Sequence, residues 1–172
     1  MWRNEIPRDG DMEDVLAELR RTARLAAMRA DGSLIEDNSL VGFIEKSLKA
    51  PLWSKQREIA QSIEDNPRTA VRSAHACGKS FLAARVVLGY LETHPHSIAV
   101  TTAPTSRQVR NVLWRNMRAA AANVKKDGVL RGRMLTERYD ISEDWYAIGF
   151  KGSDNNSDAT QGFHSESLLV VV

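Results

Sequence analysis

Arg72-Ser73-Ala74-His75-Ala76-Cys77-Gly78-Lys79-Ser80 lies between a short apolar run and a long amphipathic one. Its last three residues close a pattern of the form G-x-x-x-x-G-K-[ST], with Ser73 where the first glycine would stand. A loop of this kind wraps successive backbone N–H groups around phosphates. Its lysine neutralises phosphate charge and its hydroxyl ligates Mg²⁺. The helix that follows adds the positive end of its dipole. Ser73, Ala74, His75, Ala76, Cys77, Gly78 and Lys79 are therefore expected to cradle a nucleoside triphosphate, with Ser80 on the metal.

Serine resists backbone angles that glycine tolerates, so the flanks carry weight. Arg68-Thr69-Ala70-Val71 predicts a strand over 69–72 that enters the loop. Phe81, Leu82, Val86, Leu88 and Leu91 predict a helix over 79–92, buried on most of its surface. A Gly-Lys-Ser turn before an ordinary helix is the competing reading, and the order strand, loop, helix argues against it. His75 is either a polar loop residue or a group beside the γ-phosphate. Cys77 is the single cysteine, which excludes an intrachain disulfide. The usual structural zinc sets need two or more.

Outward from the loop the order alternates. Ser97-Ile98-Ala99-Val100-Thr101-Thr102 reads as a strand, and a long helix follows from Thr105 to about Lys125. That β-α-β-α order predicts a parallel sheet with helices on its faces. Residues 134–141 and 145–150 predict a hairpin, 152–158 a polar loop, and Leu168-Leu169-Val170-Val171-Val172 a buried strand. Upstream, helices are expected over 12–30, 40–48 and 54–65, the last capped by Ser54. The division expected is an N-terminal helical segment, 1–50, and a partial phosphate-loop domain, 51–172.

At 172 residues, 42% hydrophobic and 27% charged, the chain has the composition of an ordinary globular domain. No apolar run approaches the ~20 residues of a membrane span. Met1-Trp2-Arg3-Asn4-Glu5-Ile6 lacks the apolar centre of a signal peptide, so a cytoplasmic setting is expected. Charge is uneven. Residues 1–66 hold 10 Lys and Arg against 13 Asp and Glu, whereas residues 107–138 hold 9 against 2. The second segment suits a polyanion.

Arg107, Arg110, Arg115 and Arg118 fall within an arc of roughly 140° on the long helix, with Trp114 among them. An arginine face carrying an aromatic suits phosphate backbones and unstacked bases. A solvated arginine face, with Trp114 packed on a neighbour, is the alternative.

Four segments together carry a resemblance. Val71 to Ser80, Thr101-Thr102-Ala103-Pro104-Thr105-Ser106-Arg107-Gln108, Gln161-Gly162-Phe163-His164-Ser165 with the run 168–172, and Leu52-Trp53-Ser54-Lys55-Gln56-Arg57 resemble motifs of the ATPase half of the tailed-phage terminase large subunit. The resemblance runs from about residue 50 to the end of the sequence. It implies a RecA-type P-loop NTPase fold, ATP and Mg²⁺ as cofactors, and double-stranded DNA as substrate of a packaging motor. It further implies a small terminase subunit, a portal and prohead, and a homo-oligomeric ring as partners.

By that resemblance Lys79 holds the phosphates, Ser80 the Mg²⁺, and Gln56 the adenine edge. Pro104, Thr105 and Gln108 lie near DNA or nucleotide. Many relatives carry an arginine finger where this chain has His75; Arg72 or a neighbouring subunit then takes that role, or it is absent. The family pattern sets an Asp-Glu pair directly after 168–172 and a nuclease domain beyond it. The chain is accordingly expected to be the front part of a longer product that binds ATP weakly and does not turn it over alone. A helicase-type motor shares the loop and the Thr-Ala-Pro-Thr segment. A DNA-binding piece without catalysis is the rival of another class.

Overall fold

The computed structural model describes residues 39–152, 163, 165 and 167–172. The helix expected over 12–30, the polar loop from 153 on, and Gln161, Gly162 and His164 lie outside the described residues. All described residues belong to one compact unit, Asp37–Val172.

The fold is α/β. Helix α1 (Leu40–Gly42) runs into a π-helical stretch, Phe43–Ser47. Helices α2 (Ser54–Asp65) and α3 (Lys79–Thr93) follow, then strand β1 (Ile98–Ala103). The long helix is α4 (Ser106–Gln108), a π-helical stretch Val109–Leu113, and α5 (Trp114–Val124). Strands β2 (Arg133–Met134), β3 (Arg138–Ser142), β4 (Trp145–Lys151) and β5 (Leu168–Val171) complete a five-stranded sheet of order β2-β3-β4-β1-β5.

β1 lies inside this sheet, between β4 and β5, and its residues are apolar on both sides. Ile98, Ala99 and Val100 are all buried, as befits a strand flanked by parallel neighbours. It pairs in parallel with β4, Val100 opposite Ile148, and with β5, Val100 opposite Val170. β3 is antiparallel to β4 and β2 to β3, so the sheet is mixed and the all-parallel expectation is corrected. The hairpin explains the difference, since a tight turn after Ser142 returns the chain beside itself. The single strand expected over 134–141 is broken in two, with Leu135 N–H bonding back to Arg138 O at 2.8 Å.

α3 packs on the sheet through Leu82, Val86, Val87, Leu88 and Leu91, as its apolar positions predict. Each such buried side chain contributes about 1.5–3 kcal/mol. Two buried polar groups tie it to the hairpin. Glu92 accepts from the Tyr139 hydroxyl at 2.7 Å and from Arg131 N–H at 2.9 Å, and Trp145 Nε1–H donates to Leu91 O at 2.8 Å. Arg85 is buried as well; it donates to Phe81 O at 2.9 Å and lies over the Phe81 ring. Burial lowers the pKa of its guanidinium.

Three further expectations are corrected. Residues 69–72 form no strand and pair with nothing in the sheet. β5 is not buried but lies at the sheet edge, with Leu168 39% and Val170 47% exposed. Between that edge and the 67–71 segment runs a groove of about 970 Å³, floored by Leu82, Ala83 and Val86 of α3. Ser54 does not cap α2. Trp53 occupies the N-cap position, and Ser54 is the first helical residue.

Candidate functional site

The loop from Ser73 to Gly78 meets the head of α3. The end of α3 turns directly into the start of β1, so helix and strand run in opposite directions. Fifteen helical residues span about 22 Å and six strand residues about 20 Å, which brings the head of α3 to the C-terminal end of β1. Lys79 accordingly lines the same groove as Val170 to Val172. The next helix, α4, starts from the same edge. Thr105 is its N-cap, accepting from Gln108 N–H at 3.2 Å, and the Gln108 side chain returns to Thr105 N–H at 3.2 Å. This reciprocal cap explains the Thr105 and Gln108 pair locally.

The loop backbone turns left-handed twice, at Ala76 (φ +61°) and Gly78 (φ +78°). Alternation of this sort forms an anion-binding concavity from successive N–H groups. Ala74, His75 and Ala76 are exposed and belong to neither helix nor strand. Gly78 is required for a second reason. A Cβ there would stand 2.7 Å from Gln56 Nε2, so the Gln56 side chain, buried at the start of α2, abuts the loop. Gln56 Oε1 also accepts from Trp53 N–H at 3.4 Å, which holds the side chain toward the loop.

Lys79 folds back over the loop. Its Nζ donates to Ala74 O at 2.7 Å, Ser73 O at 3.1 Å and Ser73 Oγ at 3.1 Å. Cys77 is half-buried, and its thiol donates to His75 O at 3.6 Å, the small packing role that a loop cysteine suits. The side chains of Arg72 and His75 are exposed and bond to nothing among the described residues. Ser80 stands one residue into α3. Among the described residues no group of three or more His, Cys, Asp or Glu side chains could hold a metal ion.

The basic helix differs from its helical-wheel expectation. Trp114 is fully buried; its Nε1–H donates to Thr101 Oγ1 at 2.9 Å, and Thr101 in turn donates to Ile148 O at 3.1 Å. Its ring lies where a Cβ on Gly149 would be, so glycine in β4 admits the indole. The cause is the π-helical stretch Val109–Leu113. One residue added to a turn rotates everything downstream by about 100°. Trp114 moves from the arginine arc onto the buried stripe with Met117, Ala120 and Val124. The aromatic expected for base stacking is a core residue.

The arginines divide. Arg110 pairs with Glu137 at 3.1 and 3.2 Å, which raises its pKa, and Arg118 donates to Thr136 O at 2.6 Å. The side chains of Arg107 and Arg115 are exposed and bond to nothing among the described residues. Two cations of the predicted four thus remain for a polyanion.

No protein-family model, curated protein or solved structure matches the chain.

Proposed function

We propose that this chain is the ATP-binding portion of a DNA-translocating motor of the terminase large-subunit kind, built as a P-loop NTPase. The observation that carries the reading is the Ala76–Ser80 turn, left-handed at Ala76 and Gly78, at the head of a 15-residue helix on the C-terminal edge of parallel strands. In open α/β sheets ligands bind at that edge. A bound Mg²⁺–nucleotide supplies the γ-phosphoryl group that a motor transfers to water.

The residues have separable tasks. Lys79 gives its ammonium to phosphate charge, and Ser80 offers its hydroxyl to the metal. The loop N–H groups add their dipoles, and Gln56 stands beside the loop where an adenine edge is read. Arg107 and Arg115 offer sites for a phosphate backbone, an interaction that weakens steeply with salt. Double-stranded DNA is the polyanion of this proposal. Across the described residues no helix is long and apolar enough to cross a membrane.

The test is to titrate one preparation with Mg²⁺–ATP and, separately, with a DNA duplex. The expected result is ATP binding that depends on Lys79 and duplex binding that depends on Arg107 and Arg115. ATP binding unchanged by Lys79→Ala would contradict the phosphate-loop reading. Salt-dependent duplex binding that ignores ATP and survives Lys79→Ala would favour a DNA-binding piece without nucleotide chemistry.

A further inference from the structure

Ser73 departs from the glycine of its pattern, and its hydroxyl sits in the one place where a glycine could offer nothing. An ammonium group has three N–H donors and no acceptor. Lys79 Nζ has three acceptors around it: Ser73 O, Ser73 Oγ and Ala74 O. All three donors are therefore engaged by the loop itself. The Ser73 hydroxyl can accept from Nζ and still donate to Ala74 O, from which it lies 3.4 Å. That second bond holds Oγ on the lysine side of the loop. With glycine at 73 the two carbonyls would remain and one N–H of the ammonium would be left for a phosphate oxygen.

We propose that Ser73 is a positioning residue that latches Lys79 onto the loop, and that it thereby lowers the loop's affinity for polyphosphate anions. The proposal rests on the phosphate-loop reading of the site. An incoming triphosphate has to draw Nζ away from three acceptors rather than two. Lys79 and Ser73 are exposed, so each bond is partly screened by water and the effect is modest. Removing the hydroxyl should tighten binding roughly two- to fivefold. The carbonyl partners do not depend on the side chain, so the latch is loosened rather than lost.

Two readouts separate this claim from the nucleotide reading. The first is affinity for Mg²⁺–ATP and for inorganic tripolyphosphate, measured on wild type, Ser73→Ala and Ser73→Thr. The second needs no anion: the rate of acylation of Lys79 by a water-soluble active ester, by mass spectrometry, relative to exposed Lys46 as internal standard. Ser73→Ala should bind both anions more tightly and show faster Lys79 acylation. Ser73→Thr keeps the hydroxyl and should restore wild-type values in both. Unchanged or weaker binding by Ser73→Ala, with an unchanged acylation ratio, overturns the latch. If no variant binds either anion, the nucleotide reading falls, and with it the effect on affinity. The acylation ratio then still decides the latch itself: a rise supports it and no change overturns it.

Discussion

Replacing Trp114 by phenylalanine separates a core role from a nucleic-acid role on the long basic helix. The indole is fully buried and its Nε1–H is held by Thr101 at 2.9 Å. Loss of that buried bond costs about 1 kcal/mol. The smaller ring leaves unfilled space against Gly149 and Val109, which adds about 1–2 kcal/mol, given that complete truncation of a buried tryptophan costs about 3–5 kcal/mol. A total of about 2–3 kcal/mol is a large share of the 5–15 kcal/mol typical of a domain. With a urea slope of about 1–3 kcal/mol per molar, the unfolding midpoint should fall by roughly 0.7–3 M. Circular dichroism across a urea series measures it. Affinity for a fluorescent oligonucleotide should meanwhile stay within about twofold, whereas a base-stacking aromatic contributes about 1–3 kcal/mol per base. An unchanged midpoint together with a tenfold loss of oligonucleotide affinity would refute the buried placement and the π-helical rotation that explains it.

Other perturbations address acid stability and the sheet edge. Glu45 accepts from Leu52 N–H at 2.9 Å and from Arg57 Nε–H at 2.8 Å, and these two partners, the backbone bond first, hold its carboxyl below the ordinary value of 4.5. Its stabilisation is therefore present above pH 4.5 and lost as the pH falls through the lower folded-state value. Glu45→Gln should be about 1 kcal/mol less stable than wild type at pH 7, and the two should converge in acid; parallel curves from pH 7 to 2 would contradict this. Val170, 47% exposed on β5, lies on a strand edge that pairs with nothing further among the described residues, an apolar edge of the kind that lysine protects in other sheets. Val170→Lys should reduce concentration-dependent self-association in sedimentation velocity, and sedimentation identical to wild type would count against an accessible edge.

The elements legible in the sequence are those whose signals are local. The apolar pattern of Leu82 to Leu91 and the continuous run Ile98 to Val100 need only their own periodicity, and both α3 and β1 lie within a residue or two of expectation. Gly78, Lys79 and Ser80 announce a turn followed by a helix, and the structure has one there. The failures are tertiary. Whether 69–72 is a strand depends on a neighbour to pair with, and no strand of the sheet lies against it. The exposure of β5 depends on sheet order in the same way, because Val170 is as apolar as Val100 but only the latter has strands on both sides. The π-helical stretch left no signal in residue spacing, since Val109, Val112 and Leu113 satisfy an ordinary helical wheel. The latch was hidden for another reason. Ser73 was visible as a departure from pattern, but its contact with Lys79 depends on how the loop closes on itself.

Calorimetric titration of wild type and Lys79→Ala with Mg²⁺–ATP tests the central claim most directly. The lysine contributes charge-assisted hydrogen bonds of about 1.5–3 kcal/mol, so its removal should weaken binding roughly 10- to 100-fold. The account predicts saturable wild-type binding that inorganic tripolyphosphate displaces, with the loss confined to affinity and the folded state unchanged by circular dichroism. Equal affinity in the two proteins, or no binding by either, would contradict it.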